Sequence, residues 1–131
     1  RKLTRLVVSP LRPPLLVFAG GALGTWGRVA VFQLGETAGL ITVNTVGTLI
    51  LAFLSGLLLD ARTPWAAPVK LFVGAGICGA LTTQSTLALM TVQSSFGGLT
   101  LTLVSLVTGV CAAISGWLIG SAVRPSPRSL C

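Results

Sequence analysis

Four long apolar runs, separated by short polar breaks, set the pattern of this chain. The first covers residues 15–34, directly after Pro13-Pro14. The second covers 40–59, the third 69–93 and the fourth 99–122. Each approaches or exceeds the roughly 20 residues that cross a bilayer as a helix. The breaks carry turn chemistry: Gly35-Glu36-Thr37-Ala38-Gly39, a loop over 60–68 punctuated by Pro64 and Pro68, and Ser94 to Gly98. Pro125 and Pro127 mark a polar tail. The third run is interrupted from within. Gly79-Ala80-Leu81-Thr82-Thr83 is rich in glycine and hydroxyls where a span should be uniformly apolar. Backbone that leaves the helix at membrane depth finds no partners in lipid, so it must bond to protein, water or an ion. Membrane proteins tend to handle their substrates at such breaks. The pattern predicts an all-α membrane protein with four transmembrane helices, the third of them broken. It divides the chain into a terminal segment (1–14), a four-helix transmembrane domain (15–122) and a tail (123–131).

Composition agrees with that pattern. The chain is 53% hydrophobic and 8% charged, against about a quarter charged in a soluble domain. The N-terminal basic residues followed by an apolar run have the outline of a secretory signal. Three further spans behind it favour a first transmembrane helix. Four short helices can hardly enclose a pathway alone, and this favours a dimer.

Charge gives the orientation. Arg1, Lys2, Arg5, Arg12, Arg62, Lys70, Arg124 and Arg128 fall on one side of a four-span layout, while the opposite turns carry only Glu36. The positive-inside rule puts both termini and the middle loop in the cytoplasm. The net charge of +7 does not point to nucleic acid, because the basic residues flank apolar spans and form no stripe on a soluble face.

Few catalytic designs are open. Histidine is absent, and the acidic residues are Glu36 and Asp60 alone. This leaves no histidine-activated nucleophile, no carboxylate pair on one face and no zinc-type cluster. Cys78 and Cys111 lie inside apolar spans and read as small buried hydrophobes; they and Cys131 are too far apart in the chain to suggest a disulfide framework.

The candidate residues are polar groups at membrane depth. Arg28 lies in the first span, about 9 Å from Leu34 at 1.5 Å per residue. It either snorkels to the outer surface or serves as a structural anchor or anion attractor in an aqueous vestibule. Asn44, near the outer start of the second span, is either interhelical glue or an anion ligand. Thr82, Thr83, Ser85 and Thr86 cluster beside Gly79, and the fourth span adds Ser105 and Thr108. Hydroxyl donors without a nearby carboxylate suit a small anion, whereas carbonyls freed at a helix break suit a small cation such as sodium. Gly20 and Gly24, and Gly116 and Gly120, sit four apart. They suit close helix packing, either within the chain or between subunits.

Three of these motifs together resemble the CrcB/Fluc fluoride channels: Gly20-Gly21-Ala22-Leu23-Gly24 with Arg28, then Val43-Asn44-Thr45-Val46-Gly47, then Gly79-Ala80-Leu81-Thr82-Thr83-Gln84-Ser85-Thr86. They occur in the family's order and spacing. The resemblance implies an antiparallel, dual-topology-type dimer of four-helix subunits that passes fluoride selectively across the cell membrane. Fluoride enters a microbe as the neutral acid, loses its proton and is trapped until a channel releases it. The resemblance also implies a central sodium ion on the backbone carbonyls of Gly79 and Thr82. It implies a fluoride pathway that includes Asn44, Ser85 and Thr86, to which Gln84, Ser105 and Thr108 are added here.

One departure stands out. The family's motif continues Thr-Thr-Phe-Ser-Thr-Phe, where the phenylalanine ring edges face the anion. This chain has Gln84 and Leu87 at those places. Together with the charge bias, this suggests one half of a heterodimer, paired with a related, oppositely oriented subunit; pairing with itself is the simpler form. Two alternatives remain at this point. One is a non-conducting structural partner subunit. The other is a small proton-coupled multidrug exporter, which needs a mid-membrane carboxylate that neither Glu36 nor Asp60 supplies.

Overall fold

The computed structural model describes residues 12–59, 64–93 and 95–124, with side chains from 97 onward in the last stretch. The expected terminal segments, Asp60, Arg62 and Cys131 thus lie wholly or mostly outside the described residues. Helix α1 spans Arg12–Phe32 and α2 spans Glu36–Leu57. Helix α3 covers 66–81, α4 covers Gln84–Gln93 and α5 covers Ser95–Val123. Among the described residues four stretches are long and apolar enough to cross a membrane: Arg12–Phe32, Glu36–Leu57, Ala66–Gln93 and Gly97–Val123.

The spans begin a few residues before the expected limits, and α1 and α2 also end before theirs, at Phe32 and Leu57. Pro13 and Pro14 fall within the first turn of α1, where the missing N–H groups would have no helical partner anyway. The turn into α2 is tighter than the five-residue break expected. Leu34 and Gly35 donate their N–H groups to the carbonyls of Val31 and Phe32 at 3.0 and 3.1 Å. Gly35 then takes φ 110°, ψ 148°, a region open only to glycine. Glu36 therefore opens α2 at the turn, where its charge suits the helix dipole. No carboxylate among the described residues sits in the middle of a span.

Helix α3 is not regular. Between an α-helical turn at Ala66–Val69 and another at Gly79–Leu81, residues Lys70–Cys78 form a widened helix with i→i+5 hydrogen bonding. Such widening is commonly confined to one turn and marks functional segments.

The spans pack as two tight pairs, α1 with α3 and α2 with α5, and α2 joins the pairs by also touching α3. Glycine makes both pairs close. A Cβ on Gly20 would run into the Phe72 carbonyl, and one on Gly24 into the Ile77 carbonyl. A Cβ on Gly116 would come within 2.5 Å of the Leu49 carbonyl, and one on Gly120 would run into that of Phe53. Both four-residue glycine pairs are thus used inside the chain, which settles the choice left open by their spacing.

The enclosed apolar core is small: Leu40, Val43, Leu58, Ala66, Cys78, Leu81 and Ala112. Large side chains such as Phe18, Trp26 and Val92 point outward, as they do where lipid is the solvent. Cys78 is buried as expected. Cys111 is not: it lies on the exposed face of α5, because Ala112, Gly116 and Gly120 take the packed face.

Candidate functional site

The third span breaks over two residues, Thr82 and Thr83, rather than over the five-residue stretch expected. Thr82 ends α3 with an extended backbone, φ −73° and ψ 150°. Its N–H and its hydroxyl both donate to the Cys78 carbonyl, at 3.1 and 3.0 Å. The hydroxyl bond holds the side-chain rotamer and directs its methyl at Gly47 of α2, where a Cβ would lie only 2.5 Å from Thr82 Cγ2.

Thr83 is the centre of the break. It is 6% exposed, and every polar group it carries is engaged. Its N–H donates to Asn44 Oδ1 at 2.8 Å, and Asn44 Nδ2 donates back to its carbonyl at 3.2 Å. The Asn44 amide therefore pairs with the unwound backbone as a neighbouring strand would. The Thr83 hydroxyl lies 3.3 Å from Ser85 Oγ and 3.0 Å from Thr86 Oγ1, and it accepts the Thr86 N–H at 3.4 Å. It caps α4 in the manner of a helix N-cap.

These bonds determine which backbone groups remain for a ligand. In a continuous helix the N–H of Thr83 would go to the carbonyl of Gly79, and that of Thr86 to the carbonyl of Thr82. Here Asn44 Oδ1 takes the first and Thr83 Oγ1 the second. Gly79 is exposed, and the nearest atom to a Cβ there would be 3.9 Å away. Carbonyl oxygens left without a helical donor are the ligand chemistry of a hard cation such as sodium. The residues fit that ion. Among the described residues no group of three acidic, histidine or cysteine side chains could hold a metal, so side chains offer no competing set.

The remaining candidates divide. Asn44, Ser85 and Thr86 belong to the hydrogen-bonded cluster around Thr83. Gln84 opens α4 and is exposed, while Leu87, one turn on, is half-buried. Ser105 is buried and Thr108 half-buried on α5. Thr45 Oγ1 donates to Thr108 Oγ1 at 3.3 Å, and Thr108 passes its own proton to the carbonyls of Val104 and Ser105 at 2.9 and 3.2 Å. Among the described residues no hydrogen bond joins this α2–α5 pair to the break. Arg28 stands apart: it is half-buried on α1 and makes no hydrogen bond or ion pair with another described residue.

The sequence reading missed Thr83 as a centre in its own right, and it missed Gly47. The Asn44-Thr45-Val46-Gly47 spacing carried a signal for the second. A polar residue and a glycine three apart share a helix face, and both meet the break. Thr91 and Thr102 were missed too. Their hydroxyls lie 2.6 Å apart between α4 and α5, so that one donates to the other while the second donates within its own helix, Thr91 to the Leu87 carbonyl or Thr102 to that of Gly98.

A family model described as CrcB-like protein, Camphor Resistance (CrcB), matches residues 15–117, which reach into all four spans and include the whole break. The chain belongs to the CrcB family. Curated relatives carry it further. Fluoride-specific ion channel FluC 2 of Bacillus licheniformis is 38% identical over 116 residues, covering 82% of this chain and 86% of that protein. A second FluC 2, from Leifsonia xyli, is 35% identical over 124 residues, covering 86% of each chain. Fluoride-specific ion channel FluC of Methylobacterium radiotolerans is 35% identical over 107 residues, 76% of this chain and 73% of the relative. No solved structure matches the chain.

Proposed function

We infer that this CrcB-family chain is a subunit of a fluoride-specific ion channel that lets fluoride leave the cell passively and so limits its toxicity. The observation that carries the reading is the broken third span clamped by Asn44, on a chain whose relatives are fluoride channels over most of their length. The work is conduction, not catalysis. A small anion crossing a bilayer needs hydrogen-bond donors in place of its water, without so deep a well that it stays. Hydroxyls at Ser85, Thr86, Ser105 and Thr108 and the amides of Asn44 and Gln84 are neutral donors of that kind. Asn44 Nδ2 gives one proton to Thr83; the second makes no bond to another described residue. Arg28, near the outer end, raises the local anion concentration electrostatically.

A sodium ion belongs to the same proposal. The carbonyls of Gly79 and Thr82 would hold it, and it would supply a fixed positive charge beside an otherwise neutral pathway. The proposed orientation puts both termini and the 60–68 loop in the cytoplasm. Among the described residues Arg12, Lys70 and Arg124 lie toward that side. Residues 15–122 form the channel domain, with cytoplasmic segments on either side.

The assembly is proposed as an antiparallel dimer, and specifically a heterodimer with a related, oppositely oriented subunit. Three features support this. The break's carbonyl face is open on the single chain. Gln84 and Leu87 stand where the family places aromatic rings. A strongly biased charge pattern opposes insertion of one sequence in both directions. Family membership removes the exporter reading. The non-conducting partner reading differs only in whether this chain lines a pore, and Asn44 with the Thr83 hydroxyl cluster favours one that does.

Fluoride efflux from liposomes tests this, with the chain alone and with a co-expressed partner from the same organism. Flux with the partner only is the expected result. Robust flux from the chain alone would set aside the heterodimer and leave the channel. No flux in either case would overturn the channel reading.

A further inference from the structure

We propose that Asn44 and Thr83 are the positioning residues of the cation site: each withholds one helical donor from a carbonyl, Asn44 from Gly79 and Thr83 from Thr82. The proposal rests on the reading of those carbonyls as a sodium site, but its content is the hydrogen-bonding state of the carbonyls themselves.

Geometry carries it. The last regular bond of α3 runs from the Thr82 N–H to the Cys78 carbonyl at 3.1 Å. The next N–H, that of Thr83, would fall on Gly79 if the helix went on. It goes instead to Asn44 Oδ1, 39 residues away in sequence, at 2.8 Å, the shortest bond in the cluster. The Asn44 amide also donates to the Thr83 carbonyl, so its plane is fixed from both ends. Extended backbone at Thr82 turns its own carbonyl out of the helical direction. The N–H that would have reached it, from Thr86, is taken by Thr83 Oγ1. Thr83 is itself held by the Asn44 amide, so one clamp commands both carbonyls. The two residues named from the family's pattern as sodium ligands are thus the two whose helical donors are diverted by a side chain.

An amide in this role differs from an anion ligand in a checkable way. Asn44→Asp keeps an acceptor for the Thr83 N–H but loses the donor to the Thr83 carbonyl. Asn44→Leu keeps the volume and loses both. At the second carbonyl, Thr83→Ser keeps the hydroxyl and Thr83→Val removes it.

The experiment is isotope-edited infrared spectroscopy of the reconstituted full chain with its partner, labelled with carbon-13 and oxygen-18 at the Gly79 or Thr82 carbonyl. Spectra are taken in sodium and in N-methyl-D-glucamine. In the parent and in Asn44→Asp the Gly79 band is expected away from the helix-bonded position. Asn44→Leu should move it there, and should weaken the apparent sodium affinity about tenfold, because a helical hydrogen bond must then open before the carbonyl can turn to the ion. Thr83→Val should do the same at Thr82, with Thr83→Ser unchanged; this pair keeps the test decisive if Asn44→Leu does not fold. A Gly79 band that ignores Asn44→Leu, or a Thr82 band that ignores Thr83→Val, overturns the proposal. Bands that move with the substitutions but not with sodium uphold the positioning role and sink the sodium reading instead.

Discussion

Replacing Gly47 by alanine places a single methyl at the joint between α2 and the break. Its Cβ would sit 2.5 Å from Thr82 Cγ2, about 0.9 Å inside ordinary contact at 3.4 Å. Thr82 cannot turn away freely. Its hydroxyl donates to the Cys78 carbonyl at 3.0 Å, and the rotamers that clear the methyl give up that bond. Such a bond contributes about 1 kcal/mol, while overpacking costs about 1–3 kcal/mol. The strain is relieved by letting the break move, and the group that moves is the residue whose carbonyl is the proposed cation ligand. Gly47→Ala is therefore expected to lower both unfolding stability in detergent and fluoride flux in liposomes, by about 5- to 150-fold on the population of the competent site. Thr82→Ser deletes the offending methyl and keeps the hydroxyl. In a double-mutant cycle it should return about 1–2 kcal/mol to Gly47→Ala. Gly27→Ala serves as the control, because its Cβ would meet Leu81 Cδ1 at an ordinary 3.7 Å. Unchanged stability and flux in Gly47→Ala, or a double variant no better than the single, would refute the steric coupling between α2 and the break.

Other substitutions probe the frame and its orientation. Gly116→Ala and Gly120→Ala should each destabilise the chain by about 1–3 kcal/mol on unfolding in mixed micelles, because Cβ meets backbone of α2; Gly109→Ala, with nothing within 4 Å, should not. Thr91→Val should cost about 0.6 kcal/mol by losing the Thr102 contact, measured the same way; a loss several times larger would mean that pair is part of a wider network. Single cysteines at Gln33 and Trp65, introduced with the natural cysteines replaced by serine, should label with a membrane-impermeant maleimide from opposite faces of intact cells, Gln33 from outside. Equal labelling of both from one face would remove the fixed orientation on which the heterodimer rests.

The four spans were legible in the sequence because hydropathy acts locally: lipid selects apolar side chains one by one, wherever they sit. The break was legible for a related reason, since Thr82-Thr83 after a glycine is poor helix sequence in any surroundings. Its extent was not. Residues 79–81 stay helical because Leu81 is buried and holds that turn, and this depends on a neighbour that propensity does not see. Nor could the sequence place the partners of Asn44. The Asn44–Thr83 pairing joins positions 39 apart, and an asparagine in a span reads equally as glue or as ligand until the facing group is known. The glycine pairs were visible, but their spacing says only that something approaches closely. That Gly20 and Gly24 meet α3, and Gly116 and Gly120 meet α2, is a property of the assembled bundle. The widened helix over Lys70–Cys78 left no residue signature of its own.

The break and the glycine contacts belong to one design. A helix opened within a bilayer exposes donors and acceptors that lipid cannot satisfy. In this chain three of the donors around the break are taken: the N–H of Thr82 by Cys78, that of Thr83 by Asn44 and that of Thr86 by the Thr83 hydroxyl. What the break leaves over is therefore unequal. On one side it presents the acceptors of Gly79 and Thr82, and on the other the hydroxyls of Ser85 and Thr86 at the start of α4. The proposed cation and anion sites thus fall at opposite ends of the same unwound segment. Satisfaction of the donors depends on α2 lying close enough for the Asn44 amide to reach the backbone, and Gly47 is what permits that approach. A bulkier residue there would restore neither a helix nor a site. It would part α2 from α3 and leave the Thr83 N–H and carbonyl without partners in a medium that offers none.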